Sequence, residues 1–266
     1  MYRLWIVLIL VFGTSTVFAE GEPVKVKEVV VSATKIEEAV EETTSSVLVI
    51  DRKTIEASEK EFVVDLLKDI PELNMVQSGG TGKVANVIFR GGSARQTMVM
   101  IDGVKVKSTS TGTFDFSNIV TGDIERIEIV KGAQSTIYGS EAMAGVINII
   151  TKKGKGPLKA EGSYEVGTHN TYSQSLSLSG GNDTVDFRLT GSLYETDGIS
   201  TAKAGTEADG FKNKSVSASI GIKPLEKLEL EFSGRYTDSF SELDAFGADD
   251  LNYVQDRKHY IASAQG

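Results

Sequence analysis

The side chains able to do chemistry in this chain are few, and most of them are carboxylates. Glu207 and Asp209 fall in one polar stretch, Asp244, Asp249 and Asp250 in the next, and Asp256 where an apolar alternation resumes. Carboxylates gathered from neighbouring loops suit a hard cation such as Ca²⁺, which takes about 6–8 oxygen ligands. The run Gly205 to Gly210 is not a helix–loop–helix calcium loop, because glycine stands where that template needs its first acid. On composition alone, solvated loop acids are the simpler reading. Cysteine is absent, which excludes a disulfide framework, a thiolate metal site and a cysteine nucleophile. The two histidines, His169 and His259, are too few for a usual zinc site, and neither has a serine and an aspartate arranged beside it. Gly79 to Lys83 is not a phosphate-binding loop, since Gln77 replaces its first glycine and Val84 follows the lysine. No catalytic residue is therefore assigned, and the chain reads as a non-enzyme without a covalent cofactor. A formal charge of −9, with no basic stripe, also argues against a nucleic-acid partner.

The elements that would carry these residues fall into segments of different pattern. Residues 1–19 read as a secretory signal peptide: Arg3, the apolar run Leu4 to Phe12, then Val17-Phe18-Ala19 before a cut that leaves Glu20 first. Nine apolar residues fall far short of the ~20 that span a bilayer as a helix. Cleavage removes one cation and takes the net charge from −9 to −10. Residues 20–37 form a polar tail containing the β-prone run Val29 to Ala33, which is either a first strand or a peptide that pairs with a partner's sheet edge. From there to about 153 the pattern is mixed α+β. Strands are expected at 47–50, 86–89, 98–101, 127–130 and 146–150. Asp51 is placed to cap a helix, and apolar spacing predicts another over 61–70, stopped by Pro71. Gly79-Gly80-Thr81-Gly82, Gly91-Gly92 and Asp102-Gly103 read as turns between them.

From 155 to 266 the pattern becomes strict alternation, as in Val216, Ala218, Ile220 and Ile222 interleaved with Ser215, Ser217, Ser219 and Gly221. About six strands are expected near 158–167, 171–180, 184–195, 214–223, 227–238 and 256–266. Short turns at one end and polar loops over 196–213 and 239–255 at the other resemble a transmembrane β-barrel more than a soluble sandwich. The face opposite the apolar one is serine and glutamate, with no second core to receive it. Six strands fall below the ~8 that close a barrel. The expectation is an amino-terminal fragment holding one whole domain and an incomplete barrel.

Ile124 to Gly132, Ser135, Tyr138-Gly139-Ser140 and Gly145 to Thr151 resemble the plug-domain signature of TonB-dependent outer-membrane receptors. Arg90-Gly91 and Ile101 to Val104 are similar to two further plug motifs, and Glu28-Val29-Val30-Val31-Ser32-Ala33 is similar to the TonB box. Two departures are Lys131, where arginine is usual, and Ala144, where glycine is common. The resemblance implies a plug at 38–153 inside an outer-membrane barrel, with the box (28–33) in the periplasm. It also implies a TonB energy-transducing complex as partner and lipid around the wall. Within the family, Gly79 to Gly82 with Asn86 to Gly91, Asp209-Gly210-Phe211 and the stretch from Tyr236 to Phe246 are most similar to members that take up cobalamin. By that likeness Asn86, Ser93, Thr111, Gly112 and Ala245 would face the corrinoid. Glu207, Asp209, Asp244 and Asp256 would hold Ca²⁺, although Ser200 replaces a family aspartate and Leu243 a coordinating tyrosine. Arg90 and Lys131 would pair with wall carboxylates. An iron chelate or haem is the alternative cargo. A signalling receptor is disfavoured because only Glu20 to Lys27 precedes the box, and a soluble secreted β-protein is the remaining competitor.

Overall fold

The computed structural model describes residues 29–30, 38–39, 46–108, 110–200, 202, 205, 207–225, 227–244, 250 and 253–266. The expected signal peptide, most of the tail and box, and Ala245 lie outside the described residues. Two strands, β1 (Val29–Val30) and β2 (Glu38–Ala39), form a short antiparallel pair. The mixed region follows as β3 (Ser46–Ile50), α1 (Arg52–Ala57), α2 (Val63–Lys68), β4 (Leu73–Gln77), β5 (Ala85–Phe89), β6 (Thr97–Ile101), β7 (Val104–Lys105), β8 (Ile124–Lys131), α3 (Ser135–Tyr138) and β9 (Gly145–Thr151). Five of these strands make one sheet in the order β3-β8-β9-β6-β7, antiparallel except for the β6–β9 pair, while β4 and β5 form a separate hairpin.

Local chemistry accounts for the turns. Asp51 caps α1 by accepting a hydrogen bond from the Thr54 amide at 2.9 Å. The helix expected over 61–70 is shorter, because Phe62 remains extended and bridges Val120. The β6–β7 hairpin turns on Asp102 (φ 49°) and Gly103 (φ 78°), the paired left-handed conformations of a two-residue turn. The Asp102 carboxylate then accepts from the Thr151 amide at 2.7 Å and hydroxyl at 2.8 Å, tying the turn to the end of β9.

The five-stranded sheet is buried on both faces. Ile127, Ile129, Ile147 and Ile149 meet α1, α2 and the β4–β5 hairpin, whereas Val130, Val146, Met98 and Met100 meet Tyr138 and Ala142. Burial on both sides is why β6 and β9 read as continuous apolar runs rather than alternations. Strand β4 was not legible, because Leu73 and Met75 are too few apolar positions to mark it without β5 beside it.

The second region is a six-stranded antiparallel meander of β10 (Lys159–Gly167), β11 (Thr171–Gly181), β12 (Val185–Thr196), β13 (Phe211–Leu225), β14 (Leu228–Glu242) and β15 (Val254–Gln265). In this order β10 and β15 are the two edges of an open sheet, as expected of an incomplete barrel. All six strands fall close to expectation, but β13 starts three residues earlier and β14 ends four later. The ladder continues there through polar residues, whose inward side chains Asn213, Ser239 and Ser241 are buried.

The orientation of the sheet is the decisive feature. Ser173, Ser177, Ser179, Arg188, Thr190, Asn213, Ser215, Thr237, Ser239 and Ser241 are buried, while Tyr172, Leu176, Leu178, Leu189, Val216, Ile220 and Phe232 are exposed. The polar face covers the plug and the apolar face points outward, the reverse of a soluble sandwich and the arrangement of a lipid-facing wall. Replacing Ile147, fully buried between strands β8 and β6, with alanine should cost about 2–5 kcal/mol. Amide exchange across β6, β8 and β9 in the full-length protein checks this; unchanged protection would contradict the two-faced core.

Candidate functional site

Two sites emerge where the plug meets the wall. The first is built on Asp123, just before β8, whose side chain is 5% exposed. Its Oδ1 accepts from Arg188 Nε at 2.9 Å and Thr190 Oγ1 at 3.0 Å, and its Oδ2 from Ser217 Oγ at 2.6 Å and Arg235 at 3.1 Å. Four side chains from three adjacent wall strands thus converge on one plug carboxylate. Their inward direction follows from the period of two along β12, β13 and β14. Arg257 on β15 pairs with Asp115 and donates to the Gly82 carbonyl at 2.7 Å. At the short-turn end, Lys153 pairs with Glu231 at 2.6 Å and Gln265 donates to the Asp102 carbonyl at 2.7 Å.

The ion pairs expected of Arg90 and Lys131 are corrected. Both reach Glu72, a plug residue, at 3.9 and 2.8 Å, and among the described residues neither meets a wall carboxylate. They lie toward the Gly145 end of β8 and β9, opposite the Ile124–Thr151 end that contacts the wall. Around Asp123 and Asp115 the polarity is the reverse of that expectation, the plug supplying carboxylates and the wall arginines, whereas Lys153–Glu231 and Lys83–Asp209 set a plug cation against a wall carboxylate. Sequence reasoning missed Asp123, Asp115, Arg188, Arg235 and Arg257. The available signal was an arginine at the serine phase of β12, β14 and β15, where a buried cation requires a partner.

Above β11 and β12 the seam is more open. A cleft of about 640 Å³ separates the wall from α1 and is lined by Arg52, Glu56, Lys60, Glu61, Asp123 and Arg188 among others. Glu61 accepts from Ser173 Oγ at 2.8 Å. Burial holds its carboxyl above the usual glutamate range, against the lowering effect of that hydrogen bond.

The second site lies at the long-loop end. Glu207, Asp209 and Asp244 bring one carboxylate oxygen each within 4.8 Å of one another. Asp256, expected to join them, does not. It pairs across the ladder with Phe240 on the outward face of β15, while Gln255 and Arg257 point inward. Two further positions do not suit a calcium shell. Ser200 Oγ is engaged with the Ala202 amide at 3.2 Å, and Leu243 offers no side-chain oxygen. Into this cluster runs Lys83 from the glycine-rich plug loop, 1% exposed, with Nζ 3.8 Å from Asp209 Oδ1. Burial lowers its affinity for a proton, while Asp209, Asp244 and Glu242 act in the opposite sense. The loop before it is clamped: Gly82 (φ 76°) packs so closely on Phe211 that an added Cβ would lie 2.0 Å from the ring. Among the described residues, three carboxylates without the side-chain oxygens expected from positions 200, 243 and 256, and with an ammonium 3.8 Å from one of them, do not fit a full calcium site.

The residues expected to face a ligand are only partly brought together. Ser93 caps a short turn over Ala94–Gln96, and Arg95 Nε in that turn donates to the Thr111 carbonyl at 2.9 Å, joining Ser93 to the Thr111–Gly112 tip. Asn86 lies on β5 next to Ala85, whose amide donates to Asp115 at the base of the same loop at 2.9 Å.

Comparison with known proteins adds sequence to this geometry. Residues 39–146 match the family model described as TonB-dependent Receptor Plug Domain. The chain is 33% identical over 238 residues to the vitamin B12 transporter BtuB of Photobacterium profundum, covering 88% of this chain and 39% of the relative. It is 39% identical over 124 residues to BtuB of Vibrio cholerae, covering 47% of this chain and 20% of that one. Among solved structures, the ferripyoverdine receptor of the outer membrane of Pseudomonas aeruginosa superposes with a TM-score of 0.65 at 19% identity, over 80% of this chain and 28% of that one. The siderophore receptor PirA from Acinetobacter baumannii gives 0.61 at 21%, over 79% and 33%. The chain therefore spans about two fifths or less of the proteins it matches.

Replacing Asp123 with alanine leaves two buried arginines without their shared carboxylate and should weaken plug docking by about 3–5 kcal/mol. Protease accessibility of the plug across a urea series in the full-length protein reads this, and an unchanged midpoint would deny Asp123 its role. The raised Glu61 carboxyl has a defined pH signature. The folded state holds the proton after the unfolded chain has lost it, so stability falls as pH rises from the ordinary glutamate range through the raised one, then levels. Glu61→Gln should flatten that slope in pH-dependent urea midpoints while keeping an acceptor for Ser173.

Proposed function

This chain carries the plug domain of a TonB-dependent receptor, and from that premise we propose that it forms part of an outer-membrane importer of cobalamin. The observation that carries the substrate is the 33% match to a vitamin B12 transporter, which extends over 238 residues and so past the plug into the wall and its loops. The siderophore-receptor likenesses, at 19% and 21% identity, bear on the fold alone. The outward apolar face of β10–β15 supports a lipid-embedded wall and speaks against a soluble secreted protein.

In this reading the long-loop end faces outward and the box faces the periplasm. A cargo too large and polar to cross hydrocarbon needs a wide barrel, and a wide barrel needs a plug. Ser93, Thr111 and Gly112, joined through Arg95, present small and backbone groups suited to a bulky ligand, with Asn86 on the adjoining hairpin. Ala245 is proposed to reach in from a wall loop. Of the calcium residues, Glu207, Asp209 and Asp244 remain together. The outer membrane holds neither ATP nor an ion gradient, so energy is proposed to arrive from the TonB complex through Glu28 to Ala33. Val29 and Val30 pair with Glu38 and Ala39, and a partner strand that captured them would exchange one set of backbone bonds for another. Arg188 and Arg235, holding Asp123, are the wall contacts that remodelling of the plug must strain.

Full-length protein should bind cyanocobalamin in preference to a ferric siderophore, and absence of cobalamin binding at micromolar concentration would overturn the substrate. Removal of Glu28 to Ala33 should leave binding intact and abolish uptake; unchanged uptake would overturn the coupling.

A further inference from the structure

We propose that Lys83 is a resident cation of the long-loop carboxylate cluster, an ammonium supplied by the plug where the family resemblance implies a divalent ion. Its placement is imposed from several directions. Gln77 Nε2 donates to the Gly80 carbonyl at 2.6 Å and the Ser78 amide to the Val84 carbonyl at 3.0 Å, closing the loop on itself. Ser241 Oγ at 3.1 Å and Arg257 at 2.7 Å both donate to the Gly82 carbonyl, and Phe211 covers Gly82 from the wall side. With its backbone so held, Lys83 extends between plug and wall and ends at Asp209, itself 1% exposed.

Among the described residues the Lys83 Nζ makes no hydrogen bond, and it is buried, so the nearby carboxylates are what compensate its charge. The same carboxylates are what a calcium ion would require. A cation entering among Glu207, Asp209 and Asp244 would meet a like charge a few ångströms away, in a site that gains no side-chain oxygen from Leu243 or Asp256. The lysine therefore supplies the charge that gathers the loops and lowers the affinity of the cluster for a free ion. Unlike a free ion, it is covalently part of the plug. Displacing residues 78–84 would withdraw it, leave the carboxylates facing one another, and loosen the two long loops. The inference rests on the importer reading only for that last consequence.

The test is Ca²⁺ titration of the detergent-solubilised full-length protein by calorimetry, comparing wild type with Lys83→Met and Lys83→Arg. Lys83→Met is expected to bind Ca²⁺ at least tenfold more tightly than wild type, while Lys83→Arg stays as weak as wild type. Equal, tight Ca²⁺ binding by wild type and Lys83→Met would overturn the proposal. A second measurement needs no variant: amide exchange in 197–210 and 243–253 of the wild type should be the same in millimolar Ca²⁺ and in chelator. Protection that appears only with Ca²⁺ would also overturn it. Cyanocobalamin binding is measured in parallel. Its absence, with the cation results as expected, would overturn the substrate and leave the lysine assignment standing.

Discussion

Arg188, Thr190, Ser217 and Arg235 reach Asp123 from three neighbouring wall strands, and the rest of the molecule is arranged around that convergence. A lipid-facing sheet must turn its polar side chains inward, where water is scarce once a plug is present. Serine and threonine tolerate this by bonding to one another across the ladder, as Ser192 does with Ser215 at 2.7 Å and Ser233 with Ser263 at 2.8 Å. Arginine cannot. Two guanidinium groups on the inner face need a carboxylate at fixed distance, and Asp123 supplies it from the end of a strand locked in the plug sheet. Around Asp123 the docking of plug on wall is thus specified by charge, while beside α1 a cleft separates the two.

The long-loop end uses a different device. There a wall aromatic, Phe211, enters the plug core against Phe62 at 5.8 Å between ring centroids, and glycine at position 82 makes room for it. Close packing directs Lys83 toward the carboxylates. The same glycine loop that resembles a ligand-binding feature in sequence is, in this geometry, also the clamp that joins plug to wall. Buried charge pairs around Asp123, and Phe211 with Tyr194 against Phe62, are what hold the plug to this part of the wall.

Much of this was legible in advance because the signals were periodic. Alternation in period two located the wall strands, and polar stretches located the long loops, erring mainly at the upper ends of β13 and β14 where polar residues continue the ladder. Asp51 and Asp102-Gly103 declared a helix cap and a hairpin through local chemistry alone. The identities of plug and wall followed from motif resemblance and the change of pattern near 154.

Pairing between distant residues was not legible in this way. Arg90 and Lys131 were conspicuous cations, yet their partner is Glu72 in the plug itself, while the arginines that cross the seam to Asp123 and Asp115 lie in the serine phase of the wall. Asp256 stood beside the other loop acids in sequence, but a single step along β15 sends it outward. Lys83 carried no signal beyond failing to be a phosphate loop. Local composition and spacing determined which segments are strands and which face of each is apolar, because those depend on neighbours along the chain. Which carboxylate meets which cation was decided by how the plug sheet sits against the wall, where groups about a hundred residues apart come within hydrogen-bonding distance.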